Sequence, residues 1–202
     1  MHKVLATVSL ILACAGASAA AVVGQPAPPF TAVDASGKTV SLADFKGKHV
    51  VLEWVNPGCP YVMKHYGAGN MQATQKFAVD KGVVWLSINS TSQDAADYLA
   101  PAAMATWMGT QKAAATATLI DSEGKVGRAY GARTTPHMYI VDPAGKLAYA
   151  GAIDSKASSN PADIPAATNH VKLALGEALA GKPVSTPTTR PYGCSVKYSG
   201  GA

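Results

Sequence analysis

The sequence predicts an α/β domain with a central mixed sheet flanked by helices. Three observations predict it. Short runs dense in β-branched and apolar residues, His49 to Val55, Gly82 to Ile88 and His137 to Val141, read as strands buried on both faces. Stretches with apolar residues at helical spacing separate them. The turn Asp142-Pro-Ala-Gly145 then sends the chain back through Lys146 to Ala150, so the last two strands form an antiparallel hairpin. Alternating strands and helices give parallel neighbours joined by right-handed crossovers, and the closing hairpin makes the sheet mixed.

The elements follow in order. Val22 to Phe30, rich in proline, reads as an extended arm, because a residue before proline is kept out of the helical region. Thr39 to Ser41 is a short strand, and Asn56-Pro57-Gly58 breaks the strand that ends at Val55. From Pro60 onward the spacing of Tyr61, Val62, His65, Met71, Phe77 and Val79 predicts helical segments interrupted by Gly67 to Asn70. Ser92 caps a helix over Gln93 to Leu99, and Pro101 restarts one through Lys112. Thr116 to Ile120 is a short strand, Ser122 to Tyr130 a helix, and Pro165 to Ala180 a long helix ended by Gly181. Of the first long strand only the neighbourhood of Glu53 is expected to meet solvent. A polar tail rich in Pro, Thr, Gly and Ser runs from about Val184 and carries Cys194.

A chain of 202 residues that is 48% apolar and 14% charged fits one globular domain and excludes a disordered one. Three cysteines are too few for a disulfide scaffold, so each thiol is a candidate for a specific task. No block of basic residues and no basic stripe occurs, so nucleic-acid binding is not expected.

The first nineteen residues read as a signal peptide: Lys3, an apolar core from Val4 to Ala13, and Ala17-Ser18-Ala19 as a small-residue cleavage site. The core is too short to span a bilayer, and no other window is long enough. An exported protein, periplasmic or secreted, is expected, with one domain over residues 20–202. Ile11-Leu12-Ala13-Cys14 offers a competing lipoprotein route, in which Cys14 would carry a lipid anchor. Removal of the leader leaves Cys59 and Cys194, 135 residues apart, in a compartment that permits disulfides.

Cys59 stands directly after a buried strand and immediately before a helix, between Gly58 and Pro60. Backbone N–H groups and the positive dipole end at a helix N-terminus favour thiolate over thiol, and Pro60 suits the first turn because it has no N–H to lose. Lys64 and His65 follow one to two turns later and would add positive potential. Thr134-Thr135-Pro136 opens the third strand, with Thr135-Pro136 a candidate cis peptide. There the Thr135 backbone could pair with an extended substrate or a mixed-disulfide partner. His137 is adjacent. Cys194 either pins the tail to Cys59 through a structural disulfide or acts as a resolving thiol.

Taken together, Gly58-Cys-Pro-Tyr-Val-Met-Lys-His65, Tyr130-Gly-Ala-Arg-Thr-Thr-Pro136 with Tyr139-Ile-Val-Asp142, and Gly193-Cys-Ser-Val-Lys197 resemble the exported redoxin proteins of the thioredoxin-like superfamily. This is the branch grouped with alkyl hydroperoxide reductase and thiol-specific antioxidant domains. The resemblance covers roughly residues 22–198. It implies a thioredoxin-like fold, Cys59 as redox nucleophile, Pro136 as the cis proline beside it, and Cys194 as a characteristic C-terminal cysteine. Val62 stands where a thioredoxin has its second cysteine, so a local dithiol cycle is impossible. Leu52 and Asn56 stand where a peroxiredoxin has Pro and Thr, Pro136 takes the place of its strand arginine, and Arg133 is the nearest substitute. The frame that would polarise a peroxide O–O bond is therefore not recognisable.

The expected function is a thiol-dependent oxidoreductase, antioxidant, reducing a disulfide or a peroxide, whose catalytic set is Cys59, Cys194, Thr135 and Pro136. No cofactor is implied. Its partner is a thiol or disulfide protein or a small-molecule oxidant. Two other readings stay open. Cys59, Met63 and His137 are soft ligands suited to copper(I), and a Cys59–Cys194 disulfide could simply staple a noncatalytic domain.

Overall fold

The structure is a computed structural model and describes residues 20–200. The proposed leader and Cys14 lie outside the described residues. Seven strands form one mixed sheet in the order β2 (Thr39–Ser41), β1 (Thr31–Asp34), β5 (Ala117–Ile120), β4 (Val84–Asn89), β3 (Val50–Trp54), β7 (His137–Val141), β8 (Leu147–Gly151). The central strand β3 (Val50–Trp54) runs parallel to β4 (Val84–Asn89) and antiparallel to β7 (His137–Val141), with Leu52 opposite Leu86 on one side and Tyr139 on the other. β4 is parallel to β5 (Ala117–Ile120), and β8 (Leu147–Gly151) closes the expected hairpin against β7.

Side-chain alternation along these strands builds two cores. Val51, Trp85, Met138 and Ile140 face one layer, covered by α1 (Pro60–Gly67), α2 (Asn70–Val79), α3 (Pro101–Thr110) and α5 (His170–Leu179). Leu52, Trp54, Leu86, Tyr139 and Val141 face the other, under α4 (Lys125–Tyr130) and the N-terminal arm. Trp54, Tyr130 and Tyr139 pack together there with ring centroids 5.1 to 5.5 Å apart. Each such fully buried large side chain contributes roughly 1.5–3 kcal/mol.

Several elements depart from the sequence reading. The arm continues into a strand, β1 (Thr31–Asp34), which pairs with β2 (Thr39–Ser41) and with β5. Residues 93–99 are not helical. Ser92 Oγ accepts the Asp94 N–H in a local turn, and the segment instead sends Asp97 across to Asn56. The helix expected from Ser122 starts at Lys125, because the Asp121 carboxylate takes the N–H groups of Val126 and Gly127. The long helix expected from Pro165 starts at His170. Asn169 caps it through the Lys172 N–H, while Pro161–Ala166 forms a separate 3-10 turn.

Two corrections bear on the site. Glu53 is not the wet end of its strand but fully buried, and four donors face it: Tyr66 Oη, Gln75 Nε2, Trp85 Nε1 and Ser87 Oγ, at 2.7 to 3.1 Å. The tail is held at several points along its described residues rather than trailing free. The Ala152 N–H donates to Thr189 Oγ1, Val196 is buried in the second core, and Tyr198 donates to the Ala132 carbonyl. Between them β9 (Cys194–Ser195) pairs antiparallel with β6 (Thr134–Thr135).

Candidate active site

The turn after β3 is shaped by Asn56. Its buried side chain accepts the Gly58 N–H through Oδ1 (2.8 Å) and donates through Nδ2 to Asp97 (2.9 Å), while its carbonyl accepts the Cys59 N–H (3.0 Å). A Cβ on Gly58 would lie 2.9 Å from the Asp97 carboxylate, so this position admits no side chain without displacing Asp97. Cys59 is the N-cap residue of α1 with Pro60 following at the first helical position, as expected for proline.

The Cys59 thiol is 1% exposed and donates to the Thr135 carbonyl at 3.0 Å. Thr135 is buried, its Oγ1 has no hydrogen-bond partner, and the Thr135–Pro136 bond is cis. Thr135 is also the register partner of Cys194. Gly193 makes that approach feasible. At φ +138° it sits where L side chains rarely go, and a Cβ there would come within 2.0 Å of the Thr135 carbonyl oxygen. The two cysteines are thus brought to the same residue, and both are free thiols. Burial, and then the Cys59 thiol beside it, push the Cys194 thiol up to about 12, with the Lys197 ammonium opposing the rise.

Two anchors flank Cys194. Lys197 Nζ reaches Asp97 Oδ2 at 2.7 Å, joining the tail to the loop that Asn56 and Gly58 form. On the other side Tyr192 donates to Asp154 and meets His65 Nε2 at 3.1 Å. Lys64 and His65 are therefore turned away from the thiol and into a buried network. Lys64 Nζ pairs with Asp154 (3.6 Å) and donates to the Lys156 carbonyl (2.9 Å). His65 Nδ1 faces Asn70 Nδ2 at 2.8 Å. Burial, reinforced by Lys64, outweighs the attraction of Asp154 at 3.9 Å and lowers His65 to about 4, so it is neutral at pH 7 and adds no positive potential.

The copper set is not brought together. His137 shares its strand face with Tyr139, on which its ring stacks at 4.5 Å, and its Nδ1 lies near the Tyr139 hydroxyl and the Arg133 N–H. Cys59 belongs to the core on the opposite face, and Met63 is 39% exposed. Among the described residues no group of three or more His, Cys, Asp or Glu could hold a metal ion.

Asp97, Asp154 and Tyr192 join the site only through long-range contacts; the one local sign of them in the sequence is that Tyr192 and Lys197 flank Cys194 within one short motif.

A family model described as "AhpC/TSA family" matches residues 23–150, a span that includes Cys59 and the Thr135–Pro136 turn. The chain belongs to the AhpC/TSA family. The match ends before the segment carrying Cys194. An uncharacterized conserved protein from Geobacillus kaustophilus is similar over 90% of this chain and 94% of its own, at 27% identity and a TM-score of 0.74. A hypothetical protein from Sinorhizobium meliloti 1021 is similar over 91% and 98%, at 25% identity and 0.73. The thioredoxin domain of a thiol-disulfide oxidoreductase from Bacteroides vulgatus shares the fold over 72% of this chain and 96% of its own, at 24% identity and 0.51. No curated protein matches. The fold is thioredoxin-like, as the sequence motifs implied. Among the described residues no helix is long and apolar enough to cross a membrane.

Proposed function

We propose that this protein is a thiol-disulfide oxidoreductase in which Cys59 is the attacking thiol and Cys194 the resolving one. The observation that carries the reading is the junction at Thr135, whose carbonyl accepts the Cys59 thiol proton and whose backbone pairs with Cys194. A thiolate at Cys59 attacks one sulfur of a disulfide R–S–S–R, giving Cys59–S–S–R and releasing R–S⁻. The Cys194 thiol gives its proton to solvent, its thiolate attacks the Cys59 sulfur, and a second R–S⁻ leaves. The net result is a Cys59–Cys194 disulfide and two reduced thiols. Modification of Cys59 removes the largest cause after burial that holds the Cys194 thiol high, so resolution becomes easier once the first step has occurred.

A disulfide suits this site better than a peroxide. Asn56, where a peroxiredoxin has threonine, has its side chain committed to Gly58 and Asp97. An exported location fits both the leader-like residues 1–19 and disulfide chemistry, and N-terminal sequencing of the mature protein tests it.

The function is tested by treating the reduced protein with bis(2-hydroxyethyl) disulfide and reading the products by mass spectrometry. The wild type should end as the internal disulfide and Cys194→Ser should stop at a Cys59 adduct. Cys59→Ser should lose turnover. Absence of a Cys59–Cys194 link under every redox condition overturns the two-thiol reading.

A further inference from the structure

The segment that carries Cys194 occupies the backbone edge that any extended disulfide partner of Cys59 would need. Thr135 presents its carbonyl to Cys59, and its strand edge pairs in register with Cys194, so a sulfur delivered by a β-strand to this thiol would have to arrive where Cys194 already lies. That place is firmly held. Tyr192 is tied to Asp154 on one side, Lys197 to Asp97 on the other, and between these anchors Val196 is buried in the second core. Gly193 lies so close to the Thr135 carbonyl that no second strand fits between them.

We infer that the C-terminal strand is a built-in specificity filter: it reserves the Thr135 edge for Cys194, so that Cys59 takes low-molecular-weight disulfides and excludes disulfides carried on extended polypeptides. This rests on the assignment of Cys59 as nucleophile. A small disulfide needs only a local opening of the side chains over Cys59. A polypeptide disulfide needs β9 to leave. The chemistry is the exchange already written, with R small.

The test uses full-length protein carrying Cys194→Ser, which keeps the strand in place and traps the Cys59 mixed disulfide. Its rate of adduct formation is measured with bis(2-hydroxyethyl) disulfide and with the symmetric disulfide dimer of a peptide that has one cysteine inside an extended sequence. The small disulfide should react faster than the peptide dimer by about a hundredfold or more. Adding Gly193→Ala, which prises the strand off Thr135, should raise the peptide-to-small-molecule rate ratio by about tenfold or more. Tyr192→Phe, which loosens one anchor without adding bulk, should move the ratio the same way and serves if Gly193→Ala does not fold. A peptide dimer captured as fast as the small disulfide with the strand intact, or a ratio unmoved by both variants, overturns the filter while leaving Cys59 as nucleophile. Failure of Cys59 to react with either disulfide in any variant overturns the nucleophile assignment and the filter with it.

Discussion

Tyr192 donates its phenolic proton to Asp154, and through that carboxylate and Lys64 the segment carrying Cys194 is linked to α1, the helix that Cys59 caps. Lys64 and His65, on the second turn of that helix, complete the network around the same carboxylate. One anchor of the segment carrying Cys194 is therefore a polar cluster to which neither cysteine belongs.

Tyr192→Phe keeps the ring and its edge-on contact with Tyr61 (5.9 Å) but removes a donor from Asp154, whose other oxygen already has no hydrogen bond. The loss of a donor to a buried charged group should cost about 1.5–3 kcal/mol, read from urea unfolding. The same variant should close its internal disulfide more slowly than wild type after oxidation of Cys59, because Cys194 is held less tightly in register with Thr135. An unchanged closure rate would mean that Tyr192 serves stability alone.

Asp154→Ala should be more damaging, because it leaves the Lys64 ammonium buried at 1% exposure without its carboxylate. Breaking a buried pair from one side typically costs about 3–5 kcal/mol. Lys64→Met together with Asp154→Leu should cost clearly less than the sum of the two single changes, since no unpaired charge remains. Additive losses in a double-mutant cycle would show that the two side chains are not coupled.

Glu53 separates two kinds of buried carboxyl. Oε2 receives Gln75, Trp85 and Ser87, whereas Oε1 receives only the Tyr66 hydroxyl. Burial raises the carboxyl above its ordinary 4.5 despite these four bonds. Glu53→Gln can place its NH2 group at the Oε1 position if Tyr66, already accepting from Gln75 at 3.0 Å, turns its proton toward Met108. The Gln variant should therefore lie within about 1 kcal/mol of wild type, and Glu53→Leu, which strands the donors, should lose about 3 kcal/mol or more. The fold favours protonated Glu53, so this group by itself withdraws stability as pH rises above 4.5, a contribution that the Gln variant lacks. Denaturant midpoints of the three proteins across pH check both statements.

Sequence carried the local half of this site and little of the rest. Cys59 between a buried strand and Pro60, and Thr135-Pro136 at the start of another strand, are fixed by neighbours in the chain, and the strand order brings them into contact. The alternation Met138, Tyr139, Ile140 also contained the reason why His137 faces away from Cys59, since residues two apart share a face. Glu53 departs from expectation because a charged residue in a strand ordinarily marks solvent. Its position two residues from Val51 places it on the core face, where polar partners from α1, α2 and β4 surround it. The anchors were invisible, because nothing local links Tyr192 to a residue 38 positions earlier or Lys197 to one 100 positions earlier. A tail of small and polar residues gains order here from a few long-range contacts rather than from any periodic pattern.

The same cluster gives the protein an acid limit. With Tyr192 donating to Asp154, His65 donates from Nε2 to the Tyr192 oxygen and accepts at Nδ1 from Asn70, an arrangement complete only for the neutral ring. His65 is lowered from 6.5 to about 4 by burial, with Lys64 adding and Asp154 opposing, and His137 to about 3 by burial with Arg133 adding. The unfolded chain therefore binds protons that the native one refuses once pH drops below 6.5. Stability should be full above that value, fall as pH decreases, and stop falling on this account near pH 4 for His65 and near pH 3 for His137. The loss from His65 alone is on the order of 3 kcal/mol. Glu53 acts in the opposite sense, so the clean measurement is a difference: between pH 6.5 and pH 4 His65→Gln should lose less stability than wild type, by on the order of 3 kcal/mol. Urea midpoints that fall equally steeply in wild type and variant would show that the fold does not lower His65.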